Sequence, residues 1–235
     1  MYKFRMELAG TVIEADTLYE SSLRYCRDYL TDKPAELSVS VTEEDIEKER
    51  GFATAEDPSV QDLEHMALYR KICSQLADRD TVLMHGSCVE VDSQAYLFCA
   101  PSGTGKSTHT RLWRQYFGSR AVMINDDKPL LRVLSGHVRI YGTPWNGKHR
   151  LGNNTSSPLK AICFLNRGEI NTIKKVDPDA GLPLILKYTY RPEDPEDTLK
   201  VLGTASRIAG MCDFWSLECN MEEEAAAVSY TAMSE

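Results

Sequence analysis

The sequence has no run of about 20 apolar residues, so a membrane-spanning helix is not expected. Its first residues, Met1-Tyr2-Lys3-Phe4-Arg5-Met6, lack the continuous apolar core of a secretory leader, which predicts a cytoplasmic protein. Basic residues are in deficit, 27 against 35 acids, for a net charge of -8. Nucleic acid is therefore not expected as the main partner, because phosphate backbones select basic faces. No CxxC pair or clustered Cys and His suggests zinc. The seven cysteines, an odd number, sit partly inside apolar runs such as Leu97-Phe98-Cys99 and Ile162-Cys163-Phe164. They read as buried reduced thiols. Repeats and low-complexity segments are missing too, which leaves an ordinary globular chain of 235 residues.

What is present reads as α/β. Residues 2–15 and 36–42 carry the alternation of short strands. Residues 17–31 and 59–78 have helical spacing, and Thr42-Glu43-Glu44-Asp45 has the chemistry of a helix start. Small polar residues at 52–60 suggest a linker. We expect a small α+β N-terminal region over 1–78, separate or packed on the core, and a larger domain over 79–235.

Within the larger part, residues 82–84 and 88–91 read as strand, and 95–99 as a short strand buried on both faces. A loop and a helix over 106–117 follow, then a strand at 121–124 ending in Asn125-Asp126-Asp127. Residues 128–141 read as a hairpin around Ser135-Gly136. Residues 161–165 form another central strand, and 194–211 a helix. The tail from Phe214 to Met233 mixes strand and helix.

The most informative stretch is Ala100-Pro101-Ser102-Gly103-Thr104-Gly105-Lys106-Ser107, a Walker A pattern with Ala in place of the first Gly. Phosphate oxygens need successive backbone N–H groups turned inward, and the glycines permit that conformation. The helix behind the loop adds its positive end. Ser102, Gly103, Thr104, Gly105, Lys106, Ser107 and Thr108 are thus the expected nucleotide ligands. Lys106 serves the β- and γ-phosphates and Ser107 serves Mg²⁺. Asp126 and Asp127, at the end of the next apolar strand, supply an acid for the metal and a carboxylate for a hydroxyl proton.

These residues, with Met84-His85-Gly86 upstream, resemble the HPr kinase/phosphorylase family and, more distantly, phosphoenolpyruvate carboxykinase. The resemblance covers roughly residues 82–135. It implies a P-loop nucleotide-binding domain with a mixed central sheet, ATP and Mg²⁺ as cofactors, and phosphoryl transfer to a hydroxyl. It implies further that His85 lies near the phosphates, that Asp127 is the base, and that Asp126 helps with the metal. The family's downstream Glu-Ile-Arg-Gly-Leu-Gly-like motif is missing, and residues 1–80 do not resemble its N-terminal domain. The implied acceptor is accordingly a serine or threonine of another protein or peptide, or a small molecule, as in short peptide-tailoring relatives.

Three further residues, Trp145, Lys148 and Arg150, lie in a Gly/Asn/Ser/Pro-rich stretch over 142–158 and are candidates for substrate or phosphate contacts. His109 and Arg111 read as surface or acceptor-facing, Trp113, Tyr116 and Phe117 as core, and Glu222-Glu223-Glu224 as a solvated helix start. Two other readings stay open. One is a non-catalytic nucleotide-binding sensor or scaffold, the other a carboxykinase- or phosphorylase-like activity. Oligomeric state is not legible, and a homo-oligomer stays possible.

Overall fold

The computed structural model describes residues 1–52 and 57–235. The middle of the expected linker, residues 53–56, lies outside the described residues.

The N-terminal region is built on a three-stranded sheet. β1 (Tyr2–Leu8) and β2 (Thr11–Thr17) form an antiparallel hairpin turned by Ala9 and Gly10, and β3 (Leu37–Ser40) adds in parallel to β2. Three helices cover it: α1 (Glu20–Tyr25), α2 (Glu43–Phe52) and α3 (Val60–Leu76). The helix expected over 17–31 is much shorter. Leu30 bridges to Met6 and the Thr31 N–H donates to the Arg5 carbonyl at 3.0 Å, so β1 pulls the chain out of helix. Thr42 begins α2 as anticipated: its Oγ1 accepts from the Asp45 N–H, and the Asp45 carboxylate accepts from the Thr42 N–H.

The rest of the described chain forms a nine-stranded mixed sheet. Its strands are β4 (Thr81–Leu83), β5 (Ser87–Val91), β6 (Gln94–Cys99), β7 (Ala121–Asn125), β8 (Leu130–Leu134) and β9 (His137–Tyr141). β10 (Ser156–Arg167), β11 (Thr172–Lys175) and β12 (Asp213–Cys219) complete it. The main path runs β4-β8-β9-β10-β6-β5-β7. β10 is longer than its apolar run because its first residues, Ser156–Pro158, pair with β9. Its later residues lie between β6 and β12, parallel to both. The apolar residues of 82–91 fall into two strands in different parts of the sheet, β4 beside β8 and β5 between β6 and β7.

Both faces of this sheet are covered. α4 (Lys106–Phe117) and α7 (Glu224–Ser234) close one face over Phe98, Trp113 and Leu217. α5 (Pro178–Leu186) and α6 (Pro195–Ala209) close the other over Leu97, Ile162 and Phe214. α5 and β11 are not evident in the sequence pattern. The N-terminal core continues into Leu83, Leu130 and Trp145 of the larger part, so the two sheets share buried surface. All seven cysteines are free, five of them buried and Cys212 and Cys219 half-buried. Among the described residues no helix is long and apolar enough to cross a membrane.

Candidate active site

Strand direction decides where the chemistry gathers. β6, β10 and β12 are mutually parallel, and β7 runs the same way because β5 lies antiparallel to both β6 and β7. The C-terminal ends of β6 and β7 therefore open on one edge of the sheet, where parallel folds hold their ligands. The aspartate strand β7, although the next apolar strand in sequence, is not the immediate neighbour of the loop strand β6. β5 separates the two, and the His85-Gly86 segment that feeds β5 comes to lie between them.

The 100–107 loop leaves β6 and enters α4 at Lys106. Gly103 (φ +77°) and Gly105 (φ +125°) occupy backbone conformations that L side chains resist. The Thr104 N–H closes a turn on the Pro101 carbonyl at 3.2 Å. No side chain caps the first turn of α4, so its N-terminal N–H groups face outward for an anion. Ala100 is fully buried with Phe98 and Trp113, which explains a methyl where the pattern has Gly. Lys106 is buried and folds back, its ammonium donating to the Ala100 carbonyl at 2.9 Å. Burial holds its pKa below the usual lysine range.

Asp126 is 6% exposed, and its Oδ1 accepts from the Ser87 hydroxyl at 2.7 Å. Ser87 in turn meets Thr110 Oγ1 at 2.9 Å, and Thr110 reaches the Lys106 carbonyl at 3.3 Å. A polar chain thus ties this acid to the loop helix. Asp127 sits between two cationic or titratable neighbours. Its Oδ1 lies 3.1 Å from His85 Nδ1, and Oδ2 pairs with the Lys128 ammonium. Burial pushes the Asp127 pKa up, but the His85 hydrogen bond and the Lys128 charge outweigh it and bring the carboxyl down to about 2.

Backbone contacts fix this arrangement. The His85 N–H donates to the Tyr188 carbonyl at 2.7 Å and the Gly86 N–H to the Asp127 carbonyl at 3.0 Å. A Cβ on Gly86 would stand 2.6 Å from Leu97 Cδ1 and 3.0 Å from the Phe98 carbonyl oxygen, so only glycine passes this close to β6. Asn125 Oδ1 accepts the N–H groups of Asp127 and Lys128 at 2.8 and 2.7 Å. Its amide donates to Thr143 Oγ1 at 3.0 Å. From behind, the Tyr69 hydroxyl donates to the Lys128 carbonyl at 2.8 Å.

These parts surround one cavity of about 660 Å³. His85, Ser102, Gly103, Gly105, Lys106, Ser107, Thr108, Asp126 and Asp127 line it, faced by Asn146, Gly147, Lys148 and His149. Thr104, on the loop's turn, is not on the wall. Of the three candidates in the 142–158 stretch, only Lys148 borders the cavity. Trp145 is in the core, 2% exposed, stacked on Tyr69 at 3.9 Å, its indole N–H donating to the His65 carbonyl at 2.9 Å. The Arg150 guanidinium lies over the Tyr25 ring, 4.3 Å from its centroid.

His109 also departs from expectation. It is buried beside Trp113, its Nε2 3.1 Å from Ser229 Oγ, and burial lowers its pKa to about 3. Trp113 and Phe117 are core, but Tyr116 is 49% exposed because it falls on the outer side of α4. His149 borders the cavity beside Lys148, within the stretch the sequence marked, whereas Ser87, Thr110, Asn125, Lys128 and Asn146 were not singled out by the sequence reading. Only Lys128, adjacent to the aspartate pair, carried a local hint.

No family model matches the chain, and no curated protein matches it. Among solved structures, the Hpr(Ser) kinase/phosphatase from Coxiella burnetii is similar at 10% identity and a TM-score of 0.36, over 65% of this chain and 99% of that one.

Proposed function

We propose that this chain binds ATP-Mg²⁺ along residues 102–108 and transfers the terminal phosphoryl group to a hydroxyl of a protein, peptide or small molecule. One observation supports this above others: the glycine loop, Lys106, both aspartates and His85 line a single cavity. The residues suit the ligand. Two positive-φ glycines and an uncapped helix start offer N–H groups to phosphate oxygens. Lys106, released from the Ala100 carbonyl, offers an ammonium.

Ser107 and Asp126 would hold Mg²⁺, and Ser87 engages only one of the Asp126 oxygens. ATP-Mg²⁺, when bound, supplies the phosphoryl group and a counter-charge for its oxygens. Asp127 then orients the acceptor hydroxyl. A carboxylate with a pKa of about 2 is too weak a base to deprotonate a free alcohol. It takes the proton late, as the oxygen–phosphorus bond forms and the hydroxyl becomes acidic. His85 and Lys128 keep Asp127 ionised and aimed. Lys148 and His149 face the loop across the cavity, where Lys148 adds positive charge and His149 a ring nitrogen near the place phosphoryl oxygens would lie.

The test is label transfer from γ-labelled ATP with Mg²⁺ to candidate hydroxyl acceptors, beside calorimetry with the same nucleotide. Binding plus transfer is the expected result. Binding without transfer to any acceptor would favour a sensor or scaffold, and no binding heat would remove the reading altogether.

A further inference from the structure

The loop at the cavity's rim is held from two sides. From inside, Lys106 grips its start through the Ala100 and Pro101 carbonyls, at 2.9 and 3.5 Å. From outside, Arg167 grips its tip. Arg167 is the last residue of β10, which runs parallel to β6 and ends beside the loop. Its Nη2 donates to the Gly103 carbonyl at 2.5 Å and its Nε to the Thr104 carbonyl at 3.4 Å.

A peptide plane has two ends. In a trans peptide the carbonyl and the following N–H point opposite ways. Holding the Thr104 oxygen toward Arg167 therefore turns the Gly105 N–H away from it, toward the concave side. Holding the Gly103 oxygen fixes the plane that carries the Thr104 N–H, which closes the turn on Pro101. The guanidinium also draws electron density from both carbonyls and makes the attached N–H groups better donors. The planar fork of arginine reaches two neighbouring carbonyls at once, which a lysine ammonium matches poorly.

The two grips behave differently when an anion arrives. Lys106 must leave its carbonyls to reach a phosphate, and the start of the loop loses that tie. The Arg167 contacts lie on the far turn and survive. We infer that Arg167 is a positioning residue: it presets the two peptide planes that join Gly103, Thr104 and Gly105 so that the loop is shaped for phosphate before nucleotide binds. The inference rests on the nucleotide reading above.

The experiment compares Arg167→Ala and Arg167→Lys with wild type by hydrogen exchange across residues 100–107 without nucleotide, and by calorimetry with ADP-Mg²⁺ and ATP-Mg²⁺. In Arg167→Ala the loop amides should exchange at least about threefold faster. Its Kd for ADP and for ATP should weaken by a common factor of about ten. Arg167→Lys should recover part of both, and kcat at saturating ATP should fall far less than kcat/KM. Arg167 is exposed, so the melting temperature should hold. Unchanged loop exchange in Arg167→Ala would overturn the inference. So would a loss confined to ATP, which would mean direct contact with the γ-phosphate. If wild type binds no nucleotide, the functional reading fails, and the loop exchange still decides whether the clasp exists.

Discussion

The N-terminal region and the cavity end of the large sheet both draw a carboxylate away from water, fully at Glu64 and partly at Asp127, but they satisfy them differently. Glu64, on α3, is fully buried, and its oxygens accept the Leu18 N–H at 2.5 Å, the Tyr19 N–H at 3.2 Å and the Ser22 hydroxyl at 2.6 Å. All three donors are neutral, and all belong to the run that starts α1. The acid is a staple between two helices. Asp127 is held instead by the ionisable side chains of His85 and Lys128, and it borders open space. Neutral donors in a closed environment make a structural acid. Ionisable donors beside a cavity leave an acid that a substrate can recruit.

The contrast breaks most sharply in exchange of roles. Asp127→Asn should lower label transfer by about 10³-fold while ADP-Mg²⁺ binding measured by calorimetry stays within a few-fold. A variant that keeps its rate would make Asp127 as structural as Glu64. Conversely, Glu64→Ala leaves buried N–H groups orphaned and should cost about 3 kcal/mol in urea unfolding, with the folded fraction binding nucleotide normally. Lys106→Met should weaken nucleotide binding about thirtyfold without destabilising the fold, since it removes a buried ammonium and restores an apolar stem.

The pH dependence sharpens the same point. The folded pKa of Asp127, about 2, lies below its ordinary value of 3.8, so its ion pairs stabilise the fold above about pH 4. That contribution fades as pH falls through about 2. The stability difference between wild type and Asp127→Asn should therefore shrink across this window, by at most about 2 kcal/mol given partial exposure. Smallest of all, Trp145→Phe keeps the stack on Tyr69 and loses the bond to His65. It should cost about 1 kcal/mol in thermal unfolding and leave nucleotide affinity unchanged. A loss of affinity there would return Trp145 to the site.

Local chemistry was readable where residues near in sequence act together. The helix behind the loop begins and ends at Lys106 and Phe117, as its spacing predicts, and the 130–141 hairpin follows its Ser135-Gly136 turn. Long-range placement was not readable. The burial of Trp145 depends on Tyr69, far upstream on α3. The break between β4 and β5 is made by hydrogen bonds from His85 and Gly86 to Tyr188 and Asp127. α5 carries Pro183 and Gly181 within a short apolar run, a composition that argues against helix until Asp177 is seen capping it. Arg167 looks like any charged strand end until its carbonyl partners are known.

The contact between α4 and α7 has a consequence for synthesis. The Trp113 indole N–H donates to Ser229 Oγ at 2.9 Å, and that hydroxyl donates to the Ala225 carbonyl at 2.8 Å, all in buried surroundings. The helix that carries Lys106 thus leans on residues translated more than a hundred positions later. Until residues 224–234 have been made, this face of Trp113 lacks the cover that α7 gives it in the folded chain. A nascent chain stalled before that point would present an apolar face for chaperones and an unfinished grip for phosphate.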